Sequence, residues 1–86
     1  MNFEWEIDWT NDVKKYYAKS PHKERLQRII LSLKQNPYQG ANIKRLTGDL
    51  SGFFRYRFSN LRLIYKIDDK AQIITLVYLG TRGDIY

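Results

Sequence analysis

From residue 53 onward the chain alternates with a period of two, and this limits the folds open to it. In Phe53–Phe58, Phe54, Tyr56 and Phe58 point one way and Arg55 and Arg57 the other. In the next stretch Leu61, Leu63, Tyr65 and Ile67 share one side, and Arg62, Ile64 and Lys66 the other. Such alternation marks a strand with one face on a core and one in water. Gln72–Leu79 is almost continuously apolar, as in a strand covered on both faces or central in a sheet. Ser59-Asn60 and Asp68-Asp69-Lys70 separate the three, and Gly80 is predicted to break the last. Connections this short cannot cross over a sheet, so the three strands form an antiparallel meander.

The first half has a different rhythm. Phe3, Trp5 and Ile7 alternate with Glu4, Glu6 and Asp8, which predicts one more strand. Thr10 or Asn11 is placed to cap a short helix reaching about Lys19, with Val13, Tyr16 and Tyr17 on one side. Ser20-Pro21 reads as a new helix start, with serine as the cap and proline at the first helical position. Leu26, Ile29, Ile30 and Leu33 then form an amphipathic stripe, which Asn36-Pro37 terminates. Tyr38–Leu46 shows no period and is read as a connection, followed by turn signals at Gly48-Asp49 and Ser51-Gly52. The expectation is an α+β fold: an N-terminal strand, two helices on a mainly antiparallel sheet, and a C-terminal meander. Residues 1–86 form a single domain. Aromatics make up 15% of the chain, and their large side chains give so short a sequence an adequate core.

Cysteine is absent and His22 is the only histidine. This excludes disulfides, thiolate or histidine zinc sites, a cysteine nucleophile and a paired-histidine nuclease. No cofactor or metal is expected. No apolar run is long enough to cross a membrane, and Met1–Thr10 lacks the plan of a signal peptide, so no membrane contact is predicted and the expected location is the cytoplasm.

The net charge of +6 is unevenly spread. Residues 1–12 carry four acids and no cation, or −4; the fifteen cations and five acids after them give +10. Lys44, Arg45, Arg55, Arg57, Arg62 and Lys66 stand against Asp49 alone between residues 44 and 66. With the apolar sets of the hairpin inward, Arg55, Arg57, Arg62 and Lys66 share the outward face, and Arg82 follows the third strand. Arginine matches phosphate oxygens with a planar fork and keeps its charge, so such a face suits a nucleic acid. Phe53 and Tyr86 are placed to stack a base beside these cations. Plain solvation explains Lys14, Lys15, Lys19, Lys23 and Lys34 on the helices and an exposed His22. Asp68-Asp69 reads as a turn, and Trp5 and Trp9 as core or edge cover.

Several segments together carry a family likeness. They are Asn36-Pro37-Tyr38-Gln39-Gly40, Ile43-Lys44-Arg45-Leu46-Thr47-Gly48, Phe54-Arg55-Tyr56-Arg57-Phe58, Leu61-Arg62-Leu63-Ile64-Tyr65 and Gly80-Thr81-Arg82-Gly83-Asp84-Ile85-Tyr86. In this order and spacing the chain resembles the RelE/ParE toxins of bacterial and archaeal toxin–antitoxin pairs. The resemblance implies one of two targets. RelE-type toxins cut mRNA on the 70S ribosome: the 2′-hydroxyl attacks the adjacent phosphate, leaving a cyclic phosphate and a 5′-hydroxyl. ParE-type toxins inhibit DNA gyrase by protein–protein contact. The basic positions of the nuclease branch match Arg55, Arg57, Arg62 and Arg82, and its terminal tyrosine matches Tyr86. Lys44, Arg45 and Lys66 are the expected further RNA contacts. A RelB-like antitoxin is the implied partner. Relatives often carry lysine at the positions of Arg55 and Arg57, and some have histidine at that of Thr81. Arginine does not give up its proton, so the general base stays open, with Asp49, Asp84, the RNA and the ribosome as alternatives.

Overall fold

The computed structural model describes residues 5–81. Five strands and two helices follow one another as β1 (Glu6–Trp9), α1 (Asn11–Lys19), α2 (Lys23–Gln35), β2 (Ile43–Arg45), β3 (Phe53–Phe58), β4 (Leu61–Asp68) and β5 (Ile73–Gly80). A single 3₁₀ turn, Gly48–Leu50, joins β2 to β3. The strands form one sheet in the order β1-β5-β4-β3-β2. The meander β3-β4-β5 is antiparallel as its alternation predicts, and β1 adds in parallel to β5. β5 is thus hydrogen-bonded on both sides, an interior strand of the sheet as its apolar run predicts. The α+β expectation holds, with the sheet mixed and five-stranded. Among the described residues no helix is long and apolar enough to cross a membrane.

One face of the sheet carries the core. Phe54, Leu61, Leu63, Tyr65, Ile74, Leu76 and Leu79 pack there against Val13 of α1 and Leu26, Ile29 and Leu33 of α2. Leu26, Ile29 and Leu33 of the stripe read from the sequence are the buried stripe of α2, with Ile30 half-buried at its margin, and Asn36 ends that helix in extended conformation before Pro37. Its start differs from expectation. Ser20 closes α1, its N–H bonding Tyr17 O, while its Oγ accepts the N–H of His22. This serine bond holds Pro21-His22 as a turn, and α2 begins at Lys23 with His22 in the cap position and Leu26 N–H on His22 O.

Two further differences concern the sheet. The connection after Pro37 contains β2, whose three residues pair with Phe54–Tyr56 of β3. A strand that short shows no period, and only Ile43 in it is apolar. Gly80 does not break β5; it pairs with Arg62. The expected N-terminal strand is present from Glu6, while Phe3 and Glu4 lie outside the described residues.

The connection is fixed to the core by aromatics. Trp5 meets Tyr38, and Tyr38 meets Phe54, each edge-on at 5.9 Å between ring centres; Phe54 stacks on Tyr65 at 5.6 Å. Tyr65 is fully buried and its hydroxyl donates to the carbonyl of Pro37 at 2.7 Å. Burial pushes this phenol well above the usual tyrosine range, with a smaller contribution from Tyr56, so it stays a donor. Tyr65→Phe keeps the stacking and leaves a buried carbonyl without its partner. We expect a loss of about 1–3 kcal/mol in urea unfolding.

Candidate phosphate-binding face

The opposite face of the sheet is built by register. Lys44, Arg55, Ile64 and Tyr78 stand abreast on β2, β3, β4 and β5. The adjacent row is Arg57, Arg62 and Gly80. Four cations from three strands therefore occupy two neighbouring rows. Phe53 and Lys66 form a cross-strand pair on the same face, farther along.

Several contacts set how these side chains lie. Arg62 Nη1 donates to the carbonyl of Thr81 at 3.4 Å, which draws its guanidinium toward the end of β5. Arg57 is exposed, whereas Arg55 and Arg62 are half-buried. Arg55 Nε is shielded from solvent and has no hydrogen-bond partner among the described residues. Ile64, beside it, is fully buried although it is not part of the core between sheet and helices. An open groove of about 470 Å3 runs along the β2 side, lined by Asn42, Lys44, Arg55, Arg57 and Ser59 among others. The backbone N–H of Arg57 bonds Asn42 O at 3.0 Å, continuing the β2–β3 ladder one step beyond Ile43 and Tyr56.

The acids lie at the other edge. Glu6 and Asp8 of β1 fall on the same face as the cations, paired with Ile73 and Thr75 of β5. Asp8, Asp68 and Asp69 line a second open groove of about 560 Å3, together with Lys66 and Lys70. The charge asymmetry along the sequence has become an asymmetry across one sheet face, cationic toward β2 and acidic toward β1. A field of this shape orients an anion before contact.

Not every expected residue joins this face. Arg45 is on the helix side, its guanidinium 5.3 Å from the centre of the Phe54 ring. The turn that carries Asp49 precedes β3 at Phe53, about 13 Å along the strand from Arg57 at ~3.3 Å per residue. Asp49 therefore does not converge with Arg57 and Arg62. Arg82 and Tyr86, as well as Asp84, lie outside the described residues. Among the described residues no cluster of histidine, cysteine or acidic side chains could hold a metal ion.

Sequence reasoning missed Tyr78. Ile74 and Leu76 face the core, and simple alternation would place Tyr78 with them. The register shifts between Ile64 and Tyr65: Ile64 pairs with Tyr78, but Tyr65 pairs with Leu76. Val77 is the extra residue of this bulge, which sends Leu79 to the core and Tyr78 to the cationic face. The signal in the sequence is that Ile74, Leu76 and Leu79, all apolar, do not share one parity.

Several solved toxins share this fold. The structure is similar to the toxin of the archaeal RelE–RelB complex from Pyrococcus horikoshii, at a TM-score of 0.80 and 23% identity, covering 93% of this chain and 97% of that one. It is similar to the YoeB/ParE toxin from Agrobacterium tumefaciens at 0.79 and 19% identity, covering 90% and 98%. The intact E. coli RelBE toxin–antitoxin complex contains a chain similar at 0.76 and 16% identity, covering 92% and 98%. Among curated proteins, none matches the chain in sequence. Residues 4–86 match the family described as ParE toxin of type II toxin-antitoxin system, parDE. The chain therefore belongs to the ParE toxin family, within the RelE/ParE superfamily of type II toxin–antitoxin toxins.

Proposed function

We propose that this toxin is a ribosome-dependent mRNA endoribonuclease. The observation that carries the reading is the pair of rows Lys44-Arg55 and Arg57-Arg62, four cations on one sheet face. A phosphate bridging the two rows meets guanidinium groups from both β3 and β4. Such preorganised cations stabilise the charge that grows on phosphate oxygens as a neighbouring 2′-hydroxyl attacks. Cleavage leaves a cyclic 2′,3′-phosphate and a free 5′-hydroxyl. Arg82 adds a further cation and Tyr86 orients the base beside the cut. Lys44 and Lys66 follow the RNA backbone, with Phe53 beside Lys66 as a stacking surface.

The partner in the cell is a small RelB-like antitoxin whose acidic segment covers this face. Similar toxins are seen with antitoxins in the P. horikoshii and E. coli complexes. The site of action is the cytoplasm, where mRNA and ribosomes are found.

A second reading, inhibition of DNA gyrase by protein contact, has its own support. Trp9, Tyr17, Ile30 and Leu31 border an open apolar hollow across β1, α1 and α2. Leu31, 57% exposed, presents its side chain at the rim of this hollow.

Expression of the chain alone should arrest bacterial growth, and primer extension on mRNA from those cells should show cuts at fixed positions within codons. Arg57→Ala combined with Arg62→Ala, like Arg82→Ala alone, should abolish both while the protein stays folded. Intact mRNA with blocked supercoiling by purified gyrase would replace this reading with the second. Binding of single-stranded RNA supplies an independent check on the face. The slope of log K against log salt should shrink by roughly 0.7 with Arg57→Ala. It should be unchanged with Arg45→Ala, because that side chain lies over Phe54 on the other side of the sheet.

A further inference from the structure

The bulge at Val77 and the glycine at the end of β5 together place one phenol among the arginines. Tyr78 lies half-buried on the cationic face, abreast of Ile64 and Arg55. Its side chain runs along β5 toward Gly80. A Cβ at Gly80 would come within 2.6 Å of the Tyr78 hydroxyl and 2.9 Å of its Cζ. The hydroxyl end of the ring therefore rests on the bare backbone of Gly80, and Gly80 is the residue paired with Arg62. Directly opposed side chains in an antiparallel pair have Cβ atoms roughly 4.5–5.5 Å apart. The phenol thus shares a row with Arg62 and Arg57. Arg62, drawn to the Thr81 carbonyl at the end of β5, leans to the same side.

We propose that the Tyr78 hydroxyl donates the proton taken up by the leaving 5′ oxygen when RNA is cut on this face. The proposal rests on the nuclease reading and supplies the acid which that reading lacks. In the step, the 2′ oxygen bonds to phosphorus and releases its proton to water. The P–O5′ bond breaks with its electron pair on O5′, and the Tyr78 O–H protonates that oxygen. The phenolate that remains takes a proton back from water. Tyrosine is among the side chains able to act as a positioned acid, and such groups contribute about 10²–10⁴-fold in rate. The arginines of the row are poor acids, since arginine keeps its proton. A phosphate held by Arg57 and Arg62 has this phenol at its edge, where a departing oxygen needs a proton.

The test uses the full chain with ribosomes programmed by a short mRNA, first mapped for its cut and then remade with sulfur at the bridging 5′ position. Sulfur leaves readily without a proton. Tyr78→Phe should cut the ordinary mRNA at least 100-fold more slowly and the sulfur-bridged mRNA within a few-fold of the unsubstituted chain. Gly80→Ala provides a second variant: the new methyl meets only the far end of a side chain, so the hydroxyl swings aside while the strand stays paired. It should slow the ordinary substrate and be rescued by sulfur in the same way. Equal slowing of both substrates by Tyr78→Phe would make Tyr78 a positioning residue only and overturn the proposal. Unchanged cleavage of the ordinary mRNA would overturn it as well. If the unsubstituted chain cuts neither mRNA, the nuclease reading itself fails, and the acid falls with it.

Discussion

The fold turns on a conflict within β5. Its apolar residues Ile74, Leu76 and Leu79 must all reach a core on one side of the sheet, yet a regular strand would send Leu79 to the other. A single extra residue at Val77 resolves this. Opposite the bulge lies Tyr65, the largest of the fully buried side chains, which bonds Pro37 O and stacks on Phe54. The bulge and the tyrosine act together. The shift keeps both ends of β5 on the core, and Tyr65 ties the return from α2 to the middle of the sheet. β2 can then reach β3 as a three-residue edge strand. Tyr38, packed between Trp5 and Phe54, is a second anchor of the segment that leads to Lys44.

The same shift decides which residues of β5 join the cationic face. It moves Tyr78 and Gly80 out of the core parity and into the rows of Arg55 and Arg62. The parallel addition of β1 to β5 places Glu6 and Asp8 at the far edge of that face, separated from Lys44 by the width of the sheet. Opposite charges thus sit on one surface with β5, which carries no charged side chain, between the acids of β1 and the arginines of β4 and β3. A strand order that put β1 beside β3 would have set acids among the arginines.

Much of this was legible in the sequence, and the reasons are specific. Phe54-Arg55-Tyr56-Arg57-Phe58 alternates cleanly because β3 has one dry face and one wet face, so its arginines could be assigned to the wet one. Leu26, Ile29 and Leu33 announced the buried stripe of α2 because a helix on a sheet buries one stripe only. What escaped was set by partners distant in sequence. β2 exists through its pairing with β3 and has too few residues to show a period. The start of α2 was shifted by one hydroxyl, Ser20 Oγ, whose bond to the His22 N–H makes a turn where a cap was expected. Arg45 belongs by sequence to the basic run but by register to the face of Phe54. Gly80 looked like a breaker because glycine is poor in strands. Its use is local, since a larger residue would collide with the Tyr78 phenol.

The presence of arginine rather than lysine at 55 and 57 shapes how such a face can work. A lysine in a partly dry site can lose its proton and serve as a base; arginine stays charged throughout the physiological range. Arg55 has its Nε shielded beside buried Ile64. On the nuclease reading, its role is to make the phosphate tolerate added negative charge, and proton transfer falls to other groups. The work is then divided by chemistry: guanidinium groups hold the phosphate, water takes the proton of the attacking hydroxyl, and a phenol in the same row serves the leaving oxygen. Such a division relies on the RNA being held in a bent, reactive shape by something other than this sheet face. On that reading a face that supplies charge but no strong base needs its substrate already aligned for attack, which is the part a ribosome would play.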